Sequence, residues 1–279
     1  MINMKMTKIQ REKLNELRKK LGAFRSALKH DYQKDVERFF VTMNQFWKFM
    51  GEYNDKKIFE EFFEHSEWYV RNRSFFVDCN DFWIRIMEHE KASAIINSDT
   101  NEKFFSGNAD GKKSSKFIQE NFNYIQNEVG FLKGLKNIMM VGCGSCPETL
   151  IFLKRRFPKI KLTAIDNSKE AAFISNKLLK YLGYIDVDVL FVDGTRYDYK
   201  KHDGIIVANF VTPKKAVLDQ IAETANNNTR ILVREPEILG KMFFDSALEG
   251  LHKRLFVEKR ARLSRYFMMR SLLLKKLDL

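Results

Sequence analysis

From residue 137 onward the chain follows one repeating grammar, and this limits the possible folds more than any other feature. A short apolar run, NIMMVG, is followed by a helical pattern, ETLIFLKRRF. A second apolar run, KLTAID, closes on Asp166 and leads into the helical EAAFISNKLLKYLG. The runs VDVLFVDG, DGIIVANF and TRILVRE come next, with the helical PKKAVLDQIAETA between the last two. Strands covered by helices on both faces read as near-continuous apolar runs. Strand–helix alternation of this kind predicts a parallel, doubly wound α/β sheet of the Rossmann-like type. The basic runs RLFVEKRARL and RYFMMRSLLLKK predict an antiparallel hairpin closing one edge.

The N-terminal part obeys a different rule. All four prolines (Pro147, Pro158, Pro213 and Pro236) lie beyond residue 146. Segments such as FFVTMNQFWKFM and KIFEEFFEHSEWYV repeat apolar residues at helical spacing. Residues 8–96 are therefore expected to form an all-α domain of four or five helices, with the aromatic residues as packing. The polar stretch NSDTNEKFFSGNADGKKSS (97–115) reads as a linker or loop. KFIQENFNYIQNEVGFL then reads as an amphipathic helix. The expected domains are 1–114, helical, and 115–279, Rossmann-like.

Composition narrows the function classes. With 279 residues, 44% hydrophobic and 13% aromatic, the chain can bury a substantial core. No stretch approaches the roughly 20 apolar residues of a membrane span, and the charged N terminus does not resemble a secretory leader, so a soluble, cytoplasmic protein with no membrane partner is expected. Three cysteines argue against a disulfide framework. Cys143 and Cys146 form a CxxC, but no second pair completes a metal site, and His202 and His252 lack ligand spacing; no metal is expected. The net charge of +13 owes much to residues 252–276, which carry nine Lys or Arg against one Glu. Without an accompanying nucleic-acid motif, this is read as a solvated face. Nucleic acid is not expected as a partner, and a homodimer remains open.

The segment after the first strand, VGCGSCPETLIF, sits where open α/β sheets bind ligands, beyond the carboxyl ends of the strands. Gly142 and Gly144 permit a tight turn and close approach. Asp166 ends the second strand 22 residues after Gly144, placed to accept hydrogen bonds from ribose hydroxyls. A dinucleotide pyrophosphate would use the loop's N–H donors and a third glycine. Pro147 stands there instead and removes one donor, which favours the phosphate-free S-adenosylmethionine. The third strand ends in Asp193-Gly194, which could meet adenine or form a plain Asp-Gly turn. Asn209, after the fourth strand, could face the reacting end of the ligand or cap the strand. The candidate cofactor-binding residues are thus Gly142, Cys143, Gly144, Asp166, Asn167, Asp193, Gly194 and Asn209.

These residues resemble a particular family. Val141, Gly142, Gly144, Pro147 and Thr149 match the V-G-x-G-x-x-P-x-T loop of nicotianamine synthases and their bacterial opine-metallophore relatives. FVTPKKAVLDQI is similar to that family's Pro-Lys helix start. Arg234, Gly240 and Phe243 are similar to its fifth strand, with a slightly longer spacing. The resemblance covers residues 30–250 in organisation and 115–245 in motifs. It implies transfer of the 3-amino-3-carboxypropyl group of S-adenosylmethionine to an amino-acid amine, giving methylthioadenosine and a metallophore precursor. It also implies an acidic base from the helical domain, for which Glu88 and Glu90 are the candidates; Glu60, Glu61 and Asp81 are further ones. The family's upstream tyrosines are replaced here by Phe75, Phe76, Cys79 and Asn80. Arg234 is expected either to hold a substrate carboxylate through its fork or to pair with Glu235 or Glu237. A methyltransferase of the same fold, acting on a small molecule or RNA, is the alternative.

Overall fold

The computed structural model describes residues 6–32, 34–98, 116–264 and 266–277. Most of the polar stretch 97–115 lies outside them. Five helical segments open the chain: α1 (Lys8–Asp31), α2 (Val36–Glu52), the single turn α3 (Lys56–Ile58), a π-helical turn (Phe59–Phe63) and α4 (Glu67–Ile96). They are followed by α5 (Lys116–Leu132), β1 (Asn137–Val141), α6 (Glu148–Arg156), β2 (Lys161–Asp166), α7 (Lys169–Tyr181), β3 (Asp188–Phe191) and β4 (Gly204–Val207). The last elements are α8 (Lys214–Thr224), β5 (Arg230–Pro236), a 3-10 turn (Ile238–Met242), β6 (Leu255–Arg260) and β7 (Met269–Lys276). Among the described residues, no helix is long and apolar enough to cross a membrane.

The chain divides into two compact units, and not at 114/115. One comprises Met1–Ile84, Pro236–Phe244 and Arg265–Met268; the other comprises Arg85–Glu235, Asp245–Ser264 and Met269–Leu279. The division falls inside α4, because a long helix can belong to one core at its start and another at its end.

In the helical unit, α1 begins with a capping box in which Thr7 and Gln10 satisfy each other's backbone N–H. Leu14, Leu17, Leu21 and Leu28 form its buried stripe, and Phe39, Met43, Phe46 and Met50 form that of α2. The aromatic residues pack as expected. Phe243 stacks on Trp47 at 5.5 Å and meets Phe46 edge-on at 5.4 Å. Trp47 donates its Nε1–H to Asn80 at 3.1 Å. Lys241 is clamped by both carboxylate oxygens of Glu64, at 2.7 and 3.0 Å.

The second unit is built on a seven-stranded sheet in the order β3-β2-β1-β4-β5-β7-β6. β1 to β5 pair in parallel, and β6 with β7 antiparallel, as the alternating grammar and terminal hairpin predict. β1 and β4 are buried almost throughout. The direction of winding reverses between them, so the crevice at their carboxyl ends is the switch point.

A polar cluster centred on Arg234 and Glu128 lies inside this apolar interior. Arg234 on β5 donates Nε–H and Nη2–H to the two carboxylate oxygens of Glu128, at 3.0 and 2.9 Å. Glu128 is fully buried. It also accepts from Ser271 at 2.6 Å, and Ser271 shares a hydrogen bond with Tyr124 at 2.7 Å. Neither expectation for Arg234 matches: the fork holds Glu128 of α5, while Glu235 accepts from Ser246 and Ala247. A sequence shows charge near in the chain, not the carboxylate that packing brings from 106 residues away. Replacing Glu128 by Ala should strand the guanidinium and destabilise by about 3–5 kcal/mol. A Glu128→Met/Arg234→Met double variant should lose much less, measured by denaturant unfolding.

Candidate active site

The loop after β1 is held by hydrogen bonds from the N–H groups of Gly142, Gly144 and Ser145. The N–H of Gly142 donates to the carbonyl of Ile165 at 2.8 Å. Gly142 has φ +75° and Gly144 φ +68°, both in the left-handed region. A Cβ on Gly142 would lie 2.7 Å from Val211 Cγ2. The Gly144 N–H donates to Asp166 Oδ2 at 2.9 Å, and the Ser145 N–H to Glu88 Oε2 at 2.9 Å. A Cβ on Gly144 would collide with the Glu88 carboxylate. Any other residue at 144 would have to adopt φ +68° and displace the Glu88 carboxylate from the loop.

The sequence expectation spread the base over several residues, and the structure brings one of them to the loop. Glu88 sits on the part of α4 that belongs to the sheet unit. Glu90 is exposed, as is Asp81, and Glu60 and Glu61 lie beside Lys56 and Lys57 at 3.4 and 4.0 Å. Burial pushes the Glu88 carboxyl up to about 8; the neighbouring Glu148 and Asp166 add to the rise, while the Ser145 N–H and Lys91 oppose it. Lys91 forms an ion pair with Glu148, the first residue of α6. Neither Lys91 nor Glu148 was a candidate from sequence. The available signals were the i,i+3 spacing of Lys91 from Glu88 and the position of Glu148 directly after Pro147.

The remaining candidates fall into different environments. Asp166 is buried; its second oxygen accepts from the Ser168 N–H at 2.9 Å. Asn167 beside it is exposed. Asp193 is exposed and accepts from both the N–H and the hydroxyl of Thr195, which hold its carboxyl below the usual range. That is an Asx turn, the plainer of the two sequence readings. Gly194 leaves room for this chain's own packing: a Cβ there would lie 3.0 Å from Val141 Cγ1 and 3.1 Å from Tyr199 Oη. Cys143 and Cys146 are buried free thiols whose ionisation burial strongly disfavours. Arg234, far from free, reaches this region through Thr149, whose hydroxyl accepts from its Nη2 at 2.9 Å. Among the described residues, no group of three His, Cys, Asp or Glu could hold a metal ion.

Asn209, just beyond β4 at the switch point, stands apart. It is 3% exposed, and neither its Oδ1 nor its Nδ2 has a hydrogen-bond partner in the structure. Such an amide costs about 1–3 kcal/mol.

No family model matches the sequence, and no curated protein does. Solved structures do. A glutamate-to-glutamine variant of MtNAS, a nicotianamine synthase-like protein, superposes with a TM-score of 0.77 at 19% identity, over 93% of this chain and 98% of that one. The same variant in complex with S-adenosylmethionine gives 0.76 at 19% identity, with the same coverage. MtNAS in complex with MTA and tNA gives 0.77 at 18% identity, over 98% and 100%.

This chain has the MtNAS fold. At these identities the likeness speaks for the fold alone, so the chemistry must be argued from the residues at the switch point. Replacing Asn209 by Leu tests whether its amide is as costly as its surroundings imply: the midpoint of thermal unfolding should rise. A clear fall would mean that the amide has a stabilising partner.

Proposed function

We propose that the protein is an S-adenosylmethionine-dependent transferase that moves the 3-amino-3-carboxypropyl group to the amine of an amino acid. The observation that carries this reading is the Glu88 carboxylate seated on the glycine loop, with its ionisation pushed up to about 8. The loop's N–H donors at Gly144 and Ser145 are already taken by carboxylates. An anionic pyrophosphate would meet the Asp166 carboxylate at one donor and find the Ser145 donor already taken by Glu88. A sulfonium cation meets negative charge, which favours it. Each Asp166 oxygen accepts one backbone N–H and keeps lone-pair capacity for ribose hydroxyls. These residues fit a phosphate-free adenosyl sulfonium. MtNAS, which shares the fold, has been solved with MTA and tNA, and its glutamate-to-glutamine variant with S-adenosylmethionine.

As substrate, S-adenosylmethionine supplies a carbon activated by positive sulfur. The acceptor amine must be neutral to attack it. A new C–N bond forms as the C–S bond breaks, the bond pair stays on sulfur, and methylthioadenosine leaves. Glu88 accepts the proton that the amine releases; its raised pKa matches a base working near neutral pH. Lys91 neutralises Glu148 nearby, which keeps the charge at the loop from building further. Asn209, buried and unsatisfied, contacts the amino-acid end of the ligand. The product is read as a nicotianamine-like or opine-type metallophore precursor, made in the cytoplasm.

Incubation with S-adenosylmethionine and candidate amino acids should release methylthioadenosine. Release of S-adenosylhomocysteine would instead identify a methyltransferase. Glu88→Gln should keep cofactor affinity in calorimetry while turnover drops by about 10²–10⁴-fold. In the wild type, kcat/KM should climb with pH and level off above about 8, because the base must be ionised. Stability should move the other way. An unfolded Glu88 loses its proton near 4.5 and the folded one near 8, so the native state loses stability as pH rises through that window. The Gln variant lacks this term and should gain on the wild type at alkaline pH. A parallel pH profile of the two proteins would remove Glu88 from this role.

A further inference from the structure

A cavity of about 660 Å³ opens in the helical unit, between α1, the π-helical turn and the first turns of α4. That volume falls within the roughly 300–1,000 Å³ of small-molecule sites. Every lining residue precedes Ile84, whereas Glu88 belongs to the other unit, so the transferase reading leaves this cavity unused.

Part of its wall is aromatic and held in place. Trp68 packs its ring against Phe63 at 5.6 Å and Phe76 at 6.2 Å, and both of those are fully buried. Phe62 and Leu14 complete the apolar part of the wall. Trp68 and Phe62 are only partly buried, which leaves ring surface for a ligand to cover.

The charges of the wall are matched except for one. Glu67 pairs with Arg71 at 2.8 Å, and Glu61 with Lys57 at 4.0 Å. His65, the remaining titratable group, is exposed. Arg18 of α1 has no ion pair and no hydrogen bond from its side chain among the described residues. The positions three and four away on its own helix are Leu14, Asn15, Leu21 and Gly22, none of them acidic. Its Nε is covered by protein and finds no acceptor, so the Nη groups are the donors it can offer to a ligand. A cation partly withdrawn from water is costly until an anion meets it. One unmatched positive charge asks for one negative charge. A dianionic phosphate would bring an excess beside Glu61 and Glu67, whereas a carboxylate balances the charge and fits the guanidinium fork.

We propose that this cavity is a second ligand site, for a small aromatic monocarboxylate that sets its ring on Trp68 and Phe62 and its carboxylate on Arg18. The proposal does not depend on the transferase reading. Calorimetric titration of the purified full chain with 2-naphthoate, neutral 2-naphthalenemethanol and inorganic phosphate tests it. The naphthoate should bind about tenfold or more tightly than the alcohol, which lacks the charge, and than phosphate, which lacks the ring. Arg18→Gln should abolish the preference for acid over alcohol while circular dichroism stays at the wild-type signal. The comparison of probes on the wild type decides the matter even where the variant folds poorly. A full chain that binds no naphthoate overturns the proposal, as does one that binds naphthoate no better than the alcohol or phosphate. A folded Arg18→Gln protein that keeps the full preference overturns it equally.

Discussion

The arrangement at the switch point rests on one contact: the carboxylate of Glu88 against the backbone of the glycine loop. It takes the Ser145 N–H and occupies the space that a side chain at residue 144 would fill. Asp166 takes the preceding donor. A loop with the backbone shape of a phosphate cradle thereby has its Gly144 and Ser145 donors committed to side chains of this chain. The third carboxylate, Glu148, is held by Lys91, one turn along α4 from Glu88. α4 thus brings both the group that titrates and the cation that moderates its surroundings.

The glycine loop is supported from beneath by the Arg234–Glu128 pair. Burying two charges is costly, and the cost is offset only because almost every donor and acceptor is used. Ser271, Tyr124 and Thr149 complete the set, joining α5, β5, β7 and the start of α6. Thr149 directly follows Glu148. The first turn of α6 is therefore fixed by Lys91 on one residue and Arg234 on the next. Lys214 adds a related constraint, donating to the carbonyls of Arg234 and Asp245 at 3.0 and 2.6 Å. The Pro-Lys pair that opens α8 in the sequence places a buried cation at the end of β5.

The two halves of the chain differed in how far they could be read. In the sheet unit, period and chemistry agreed. β1, β2, β4 and β5 are apolar runs with turn residues at each end, and each formed where its run lay. The short β3 was legible as a strand, but its exposure was not, because being an edge is a property of strand order. In the helical unit, the aromatic periodicity gave the helices. It could not show that residues 236–244, far away in sequence, belong to the same compact unit, with Phe243 packed against Trp47.

By itself the sequence determined the α/β alternation, the terminal hairpin, the positive-φ glycines after β1 and the acidic end of β2, since each follows from local spacing and backbone sterics. Tertiary structure decided which charges meet. Glu88 and Glu90 are two residues apart in one acidic stretch of helix, yet successive side chains on a helix point about 100° apart, and only Glu88 faces the loop. For Arg234 the sequence left a substrate carboxylate and a pair with Glu235 or Glu237 open, and packing brought Glu128 of α5 to it instead. The energy of a charge depends on its solvation and its partners, and both come from residues distant in the chain.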